Sequence, residues 1–286
     1  MQARALPRPT WLLIVAAASI MVLVLTRPSP SATRLISRWR PPPPIITQPD
    51  QPQQHPNPPP LAISGDAVPV DLFDLSVGEG LYADQRELLA ADLQRALGYV
   101  TARFGSGPTS RFTAAVLRDD SCGLHGIAYT DVRIVQVYTC PDIARGRAVA
   151  ILAHEFAHQL AQDRYGQAHL SADLILSEGL ATWAAGEYWL SGQPDFRTFV
   201  REQREGGLFY PLAIHYQGLG VAAMNALYYQ WASFVDFLIS TYGREQFDQL
   251  YVSGHGAPGS ADYAGVYGKG LDVLEHEWQA WLDQSS

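Results

Sequence analysis

The order of apolar and polar positions divides the chain into an early stretch of strand-like pattern and a later helical one. Residues 67–77 (AVPVDLFDLSV) alternate apolar and polar side chains, which predicts an opening strand. Residues 81–104 then place Leu88, Leu89, Leu93, Leu97 and Val100 at helical spacing, and Gly105-Ser106-Gly107-Pro108 stops that helix. A second strand is predicted over 111–118 (RFTAAVLR), followed by a hairpin whose arms are 126–130 and 133–138. After Pro141 the period lengthens and stays helical, over 144–164, 170–190, 224–242, 244–251 and 270–282. Strands first and helices afterwards predict an α+β fold: a small N-terminal β-sheet with one helix, then a mostly α-helical C-terminal part. No internal repeat is visible.

The N-terminal quarter reads differently. After a short tail (1–10), Trp11 to Leu25 are fifteen uncharged residues, WLLIVAAASIMVLVL, behind Arg4 and Arg8. Residues 11–26 therefore read as a signal anchor, with a cleaved signal peptide and secretion as the alternative; no small-x-small cleavage site follows. Residues 27–62 hold 12 of the 20 prolines, among them Pro41-Pro42-Pro43-Pro44. Such a stretch lacks backbone donors and apolar side chains, so it reads as an extended Pro-rich linker. Residues 63–286 remain for one folded domain with a sizeable core.

Charge narrows the partners. The first 62 residues carry six arginines against Asp50 alone, so the net charge of −8 for the whole chain leaves −13 on the rest. A domain this acidic is repelled by nucleic acid, and nucleic acid is excluded as an expected partner. Sidedness at the membrane is contested in the sequence itself. Arg27, Arg34, Arg38 and Arg40 behind the apolar segment favour retention of the domain inside, whereas the two cysteines favour the outside. Cys122 and Cys140 bracket the predicted hairpin, where a disulfide could clamp its base; two separate buried thiols are the alternative. With the Pro-rich stalk, the expectation is a single-pass protein whose domain is extracytoplasmic.

The segment Ile151-Leu152-Ala153-His154-Glu155-Phe156-Ala157-His158 lies within a predicted helix. Residues four apart are one turn apart, so His154 and His158 project from one face and can share an ion, for which imidazole nitrogen suits zinc. Glu155 stands beside the first histidine, placed to act as a base without binding the metal. Twenty residues after His158 comes Glu178, in Ser177-Glu178-Gly179-Leu180-Ala181-Thr182. A carboxylate among Leu174, Ile175, Leu176, Leu180 and Ala181 is costly to bury unless it is paired or metal-bound. Three protein ligands with one open position is the arrangement of catalytic zinc, here one Zn2+ per chain, whereas structural sites are usually closed by four.

This combination resembles the gluzincins, the metallopeptidase group that includes thermolysin and the aminopeptidase N family. The His-to-Glu spacing agrees, the Glu178-Gly179-Leu180-Ala181-Thr182 continuation is similar to the aminopeptidase side, and the chain beyond about residue 65 looks like the compact peptidase MA-like domains. The resemblance implies a zinc cleft between sheet and helices, peptide or protein substrates, and peptide-bond hydrolysis with Glu155 as general base. It also implies a tyrosine that stabilises the oxyanion. Tyr228-Tyr229-Gln230-Trp231-Ala232-Ser233-Phe234, with Leu238 and Phe247 beyond, fits that pattern when Tyr228 is the tyrosine; Tyr229 points elsewhere on a helix. No Gly-x-Met-Glu-Asn segment, the feature that holds a substrate's N-terminus, is present, so an endopeptidase is expected at least as much as an aminopeptidase. The strand 133–138 is expected to offer an edge to an extended peptide. His125 and His215 are further candidates without an assigned role. The rival readings are a silent peptidase-like binding domain that keeps zinc for structure, a hydrolase of non-peptide amides or esters, and an adhesion module with an accidental motif. The sequence does not specify the oligomeric state.

Overall fold

The computed structural model describes residues 68–284. The expected tail, anchor and Pro-rich linker lie outside them. Among the described residues no helix is long and apolar enough to cross a membrane.

A mixed five-stranded sheet comes first, built from β1 (Val68–Val70), β2 (Phe73–Val77), β3 (Phe112–Arg118), β4 (His125–Tyr129) and β5 (Ile134–Thr139) in the order β1-β2-β3-β5-β4. The β2–β3 and β3–β5 pairs are parallel and the outer pairs antiparallel. A parallel neighbour cannot be reached by a tight turn, so α1 (Arg86–Phe104) carries the chain from β2 to β3. The rest is helical: α2 (Arg145–Tyr165), α3 (Leu174–Ala185), α4 (Glu187–Leu190), α5 (Phe196–Glu205), α6 (Val221–Tyr242), α7 (Arg244–Tyr251), α8 (Tyr263–Tyr267) and α9 (Leu271–Asp283). This is the α+β class that the pattern predicts.

Register explains how the sheet receives α2. Phe73, Leu75 and Val77 pair with Phe112, Ala114 and Val116, and all six side chains are buried. Phe73 and Phe112 stack at 5.7 Å and close on Phe156 of α2 at 5.6 and 5.5 Å, an aromatic layer that seats this helix on the sheet. The β4–β5 turn is tied to α2 as well. Arg133 pairs with Asp163, and the Gln159 side chain donates to the Thr130 carbonyl at 3.4 Å. At the other end of the hairpin a disulfide joins Cys122 to Cys140, their Cα atoms 4.9 Å apart. On its remaining sides α2 meets α1 and α3, so every residue from Ala148 to Ala161 is buried.

Three expectations need correction. The 67–77 segment is a hairpin, β1 and β2 joined at Asp71-Leu72, and not one strand. Its alternation slips at Leu72-Phe73, where Leu72 is exposed, and Arg111 holds the turn by donating to the carbonyls of Asp71 (2.9 Å) and Phe73 (3.2 Å). The strand at 133–138 is not an edge. It is β5, flanked by β3 and β4, and β4 is the outer strand. The segment 170–190 is not one helix but a 3-10 turn (Gly166–Ser171), α3 and α4, interrupted again at Gly186, which adopts φ +49°. Two helices, α5 and α8, are not anticipated by the pattern at all.

The start of α3 is fixed from far away. Asp173 caps it by accepting from Ile175 N at 2.9 Å, and it also accepts from Gly259 N (3.1 Å), Ala261 N (3.0 Å) and Tyr263 Oη (3.1 Å). Burial raises its pKa while these four donors work against that rise. Farther along α3, a Cβ on Gly179 would stand 2.7 Å from the Trp231 carbonyl oxygen, so glycine is what lets α3 and α6 touch backbone to backbone. Asp173→Ala, which strands several buried donors at once, is expected to destabilise the protein by about 3 kcal/mol or more, read as a fall in denaturant midpoint. An unchanged midpoint would show that the loop 252–263 is not anchored through this carboxylate.

Candidate metal centre

The site is assembled from the middle of α2 and the first turns of α3. The turn of helix from His154 to His158 sets both imidazoles on one side of α2, and their Nε2 atoms lie 3.0 Å apart. Asp173 fixes the start of α3, and one turn in, Glu178 Oε2 comes within 3.1 Å of His154 Nε2 and 3.6 Å of His158 Nε2. All three side chains are buried. Burial holds the His154 imidazole down to about 4, with Glu178 opposing the fall, so the ring is neutral at neutral pH and keeps a lone pair. Burial also opposes ionisation of Glu178, but the two histidines outweigh it and keep this carboxyl below the usual carboxylate range.

Three acceptor atoms converging in this way repel one another unless a proton or a cation lies among them. Zinc ligands at about 2.0–2.2 Å in tetrahedral array stand roughly 3.3 Å from each other, and the observed 3.0, 3.1 and 3.6 Å bracket that spacing. The donor set, two imidazoles and a carboxylate, therefore fits zinc. Among the described residues the other cluster of metal-ligating residue types, Cys122, Cys140 and Asp142, has its sulfurs in the disulfide.

Glu155 points at the sheet. A Cβ on Gly126 of β4 would lie 2.2 Å from Glu155 Oε1 and 2.6 Å from Ile151 Cγ2, so the carboxylate rests against bare backbone of the outer strand. Tyr228, fully buried on α6, brings its ring within 5.8 Å of the His154 ring and stacks on Trp189 at 5.7 Å. Tyr229 faces away: its hydroxyl donates to the Trp189 carbonyl at 2.9 Å and its ring packs on Phe199. Of the extra histidines, His125 adjoins Gly126 on β4 and stacks on Tyr138 at 4.6 Å. His215 accepts from Gln217 N and packs on Tyr216, whose ring in turn lies 5.8 Å from that of Tyr228. Neither belongs to the three-residue cluster.

Some neighbours of the site were not singled out from the sequence. Thr182 Oγ1 lies 3.4 Å from His154 Nδ1, on the opposite side of the ring from Glu178. Its signal was present, since Thr182 follows Glu178 by one helical turn. Trp189, whose ring is 4.9 Å from His154, and His169, 5.7 Å from His158, carry no local signal, because tertiary folding alone brings them there. The same holds for Gly126.

No family model matches the sequence, and no curated protein matches it. Among solved structures the chain is similar to the M1 zinc metallopeptidase from Deinococcus radiodurans (20% identity, TM-score 0.44), covering 76% of this chain and 51% of that one. It is also similar to Legionella pneumophila aminopeptidase A in complex with aspartic acid (15%, TM-score 0.45), over 72% of this chain and 26% of the other. A third is an aminopeptidase N family protein from Idiomarina loihiensis (13%, TM-score 0.40), over 76% and 41%. The chain thus spans about half or less of these proteins. Likeness at this level assigns no activity, which has to be argued from the site itself.

The packing of Glu155 on β4 has a direct test. Gly126→Ala puts a methyl group where the carboxylate and Ile151 now sit, and is expected to cost about 1–3 kcal/mol, measured by thermal unfolding. An unchanged melting temperature would mean that Glu155 is free to leave the strand.

Proposed function

We propose that this chain is a zinc-dependent peptidase, with His154, His158 and Glu178 as metal ligands, Glu155 as general base and Tyr228 as oxyanion donor. The observation that carries the reading is the convergence of two imidazole nitrogens and one carboxylate oxygen within 3.6 Å, buried, with a second carboxylate next in sequence that is not part of the cluster. A site that only stabilised the fold would have no use for Glu155. When bound, zinc supplies a Lewis acid that polarises a carbonyl and acidifies water.

The protein's own groups do the remaining work. Glu155, held against β4, accepts a proton from the attacking water and returns it to the nitrogen of the leaving amine. The Tyr228 hydroxyl donates to the oxygen on which negative charge develops. An extended substrate can add to the sheet along β4, the outer strand, beside Glu155. Nothing in this arrangement among the described residues selects a free N-terminus, so the endopeptidase reading stands at least as well as the aminopeptidase one. The proposal includes anchoring by residues 11–26, with the domain held away from an extracytoplasmic membrane face by the Pro-rich linker. Fractionation of cells and protease accessibility of the tagged C-terminus test that part.

Elemental analysis of the full chain is expected to find about one zinc per molecule, lost or much weakened in Glu178→Ala. Folded, chelator-free protein without zinc would sink the metal site, and the peptidase reading with it. Glu155→Gln is expected to retain zinc and to cut peptide hydrolysis by about 10²- to 10⁴-fold. Tyr228→Phe should lower turnover by about 10²-fold with metal content unchanged. If Tyr229→Phe had the same effect, the assignment of Tyr228 would be wrong. A zinc-loaded protein that cuts no peptide library would leave the silent binding domain as the better reading.

A further inference from the structure

His169 is buried beside the metal centre, and the roles set out above leave it unused. It lies in the 3-10 turn Gly166–Ser171 between the two ligand-bearing helices, and it is 2% exposed. Its Nδ1 is 2.9 Å from the hydroxyl of Tyr251, and its ring centre is 5.7 Å from that of His158. The Nε2 of His169 and the Nδ1 of His158 are both buried, and neither has a hydrogen-bond partner among the described residues. Two such nitrogens on adjacent rings are costly to leave apart.

One arrangement satisfies both. A neutral imidazole that offers Nε2 to a metal carries its proton on Nδ1, and that N–H needs an acceptor. We propose that His169 is a positioning residue of the metal centre: its Nε2 accepts from His158 Nδ1–H across one water, while its own Nδ1–H donates to the Tyr251 oxygen. The proposal rests on the reading of His154, His158 and Glu178 as metal ligands. Its parts are held rigidly. Tyr251 ends α7, is fully buried and stacks on Tyr165 at 4.2 Å, and Tyr165 donates to Asp248 on the same helix. His158 would then have its ring plane fixed from α7, whereas His154 has Thr182 of α3 at its outer nitrogen. Each ligand histidine is thus steadied from a different element.

The test compares the full chain with His169→Phe, which keeps ring volume but no acceptor, His169→Gln, which restores an acceptor, and Tyr251→Phe, which removes one hydroxyl. Zinc affinity and release rate are measured by chelator competition, and melting temperature is measured on the metal-free proteins. His169→Phe is expected to weaken zinc binding about 10- to 100-fold with little change in metal-free melting, and His169→Gln to recover part of the loss. Tyr251→Phe should weaken binding to a lesser extent. Wild-type affinity in His169→Phe would overturn this proposal alone. Equal losses in His169→Phe and His169→Gln, matched by a fall in metal-free melting, would also overturn it by making His169 merely structural. No zinc in the wild-type chain would overturn the ligand assignment itself, a result that the wild-type titration separates from the others.

Discussion

Two imidazoles and a carboxylate cannot leave water together unless a proton or a cation lies among the atoms they turn toward each other. His154, His158 and Glu178 bring acceptor atoms to within 3.6 Å in a part of the molecule with almost no solvent. That juxtaposition is costly to hold and demands rigid supports. The supports account for much of the architecture. The Phe73–Phe112–Phe156 layer seats α2 on the sheet, Asp173 sets the start of α3, and α6 lies against α3 closely enough to bring an aromatic group beside the first histidine.

Much of this precision comes from backbone rather than from side-chain complementarity. At Gly126 the outer strand gives up its side chain so that Glu155 can rest on it, and at Gly179 α3 does the same for α6. The Gly179 contact leaves little freedom, since no rotamer change can lengthen or shorten an approach to the Trp231 backbone. The two contacts also tie the two halves of the site to different layers: Glu155 to the sheet, Glu178 and Tyr228 to the helices.

The residues of the candidate cluster were more legible in the sequence than their setting. The one-turn spacing of His154 and His158, and a lone acid among leucines at Glu178, are local patterns that helical periodicity makes readable. The strand-then-helix order was equally plain. What escaped depends on long-range contact or on ambiguous punctuation. Asp71-Leu72 turns the chain without glycine or proline, so β1 and β2 read as one strand. The pairing order, which places β5 inside and β4 outside, is set by the parallel β3–β5 match and has no local signature. α5 was missed for a different reason, because its signal was there. Asp195 caps it by accepting from Thr198 N, and Phe196, Phe199, Val200 and Gln203 form its buried face, yet its many charged residues masked the stripe. His169 and Trp189 reach the histidines only through tertiary folding.

The Asp173 anchor also bears on the order in which the molecule can be completed. Its partners at Gly259, Ala261 and Tyr263 lie 86 to 90 residues downstream, whereas the disulfide spans a separation of only 18. During synthesis the hairpin that carries Gly126 can close almost as soon as it emerges. The first turn of α3 must wait for a loop made much later. A settled start of α3 thus requires a segment synthesised long after the hairpin, so Glu178 can take its final register only when that segment is present.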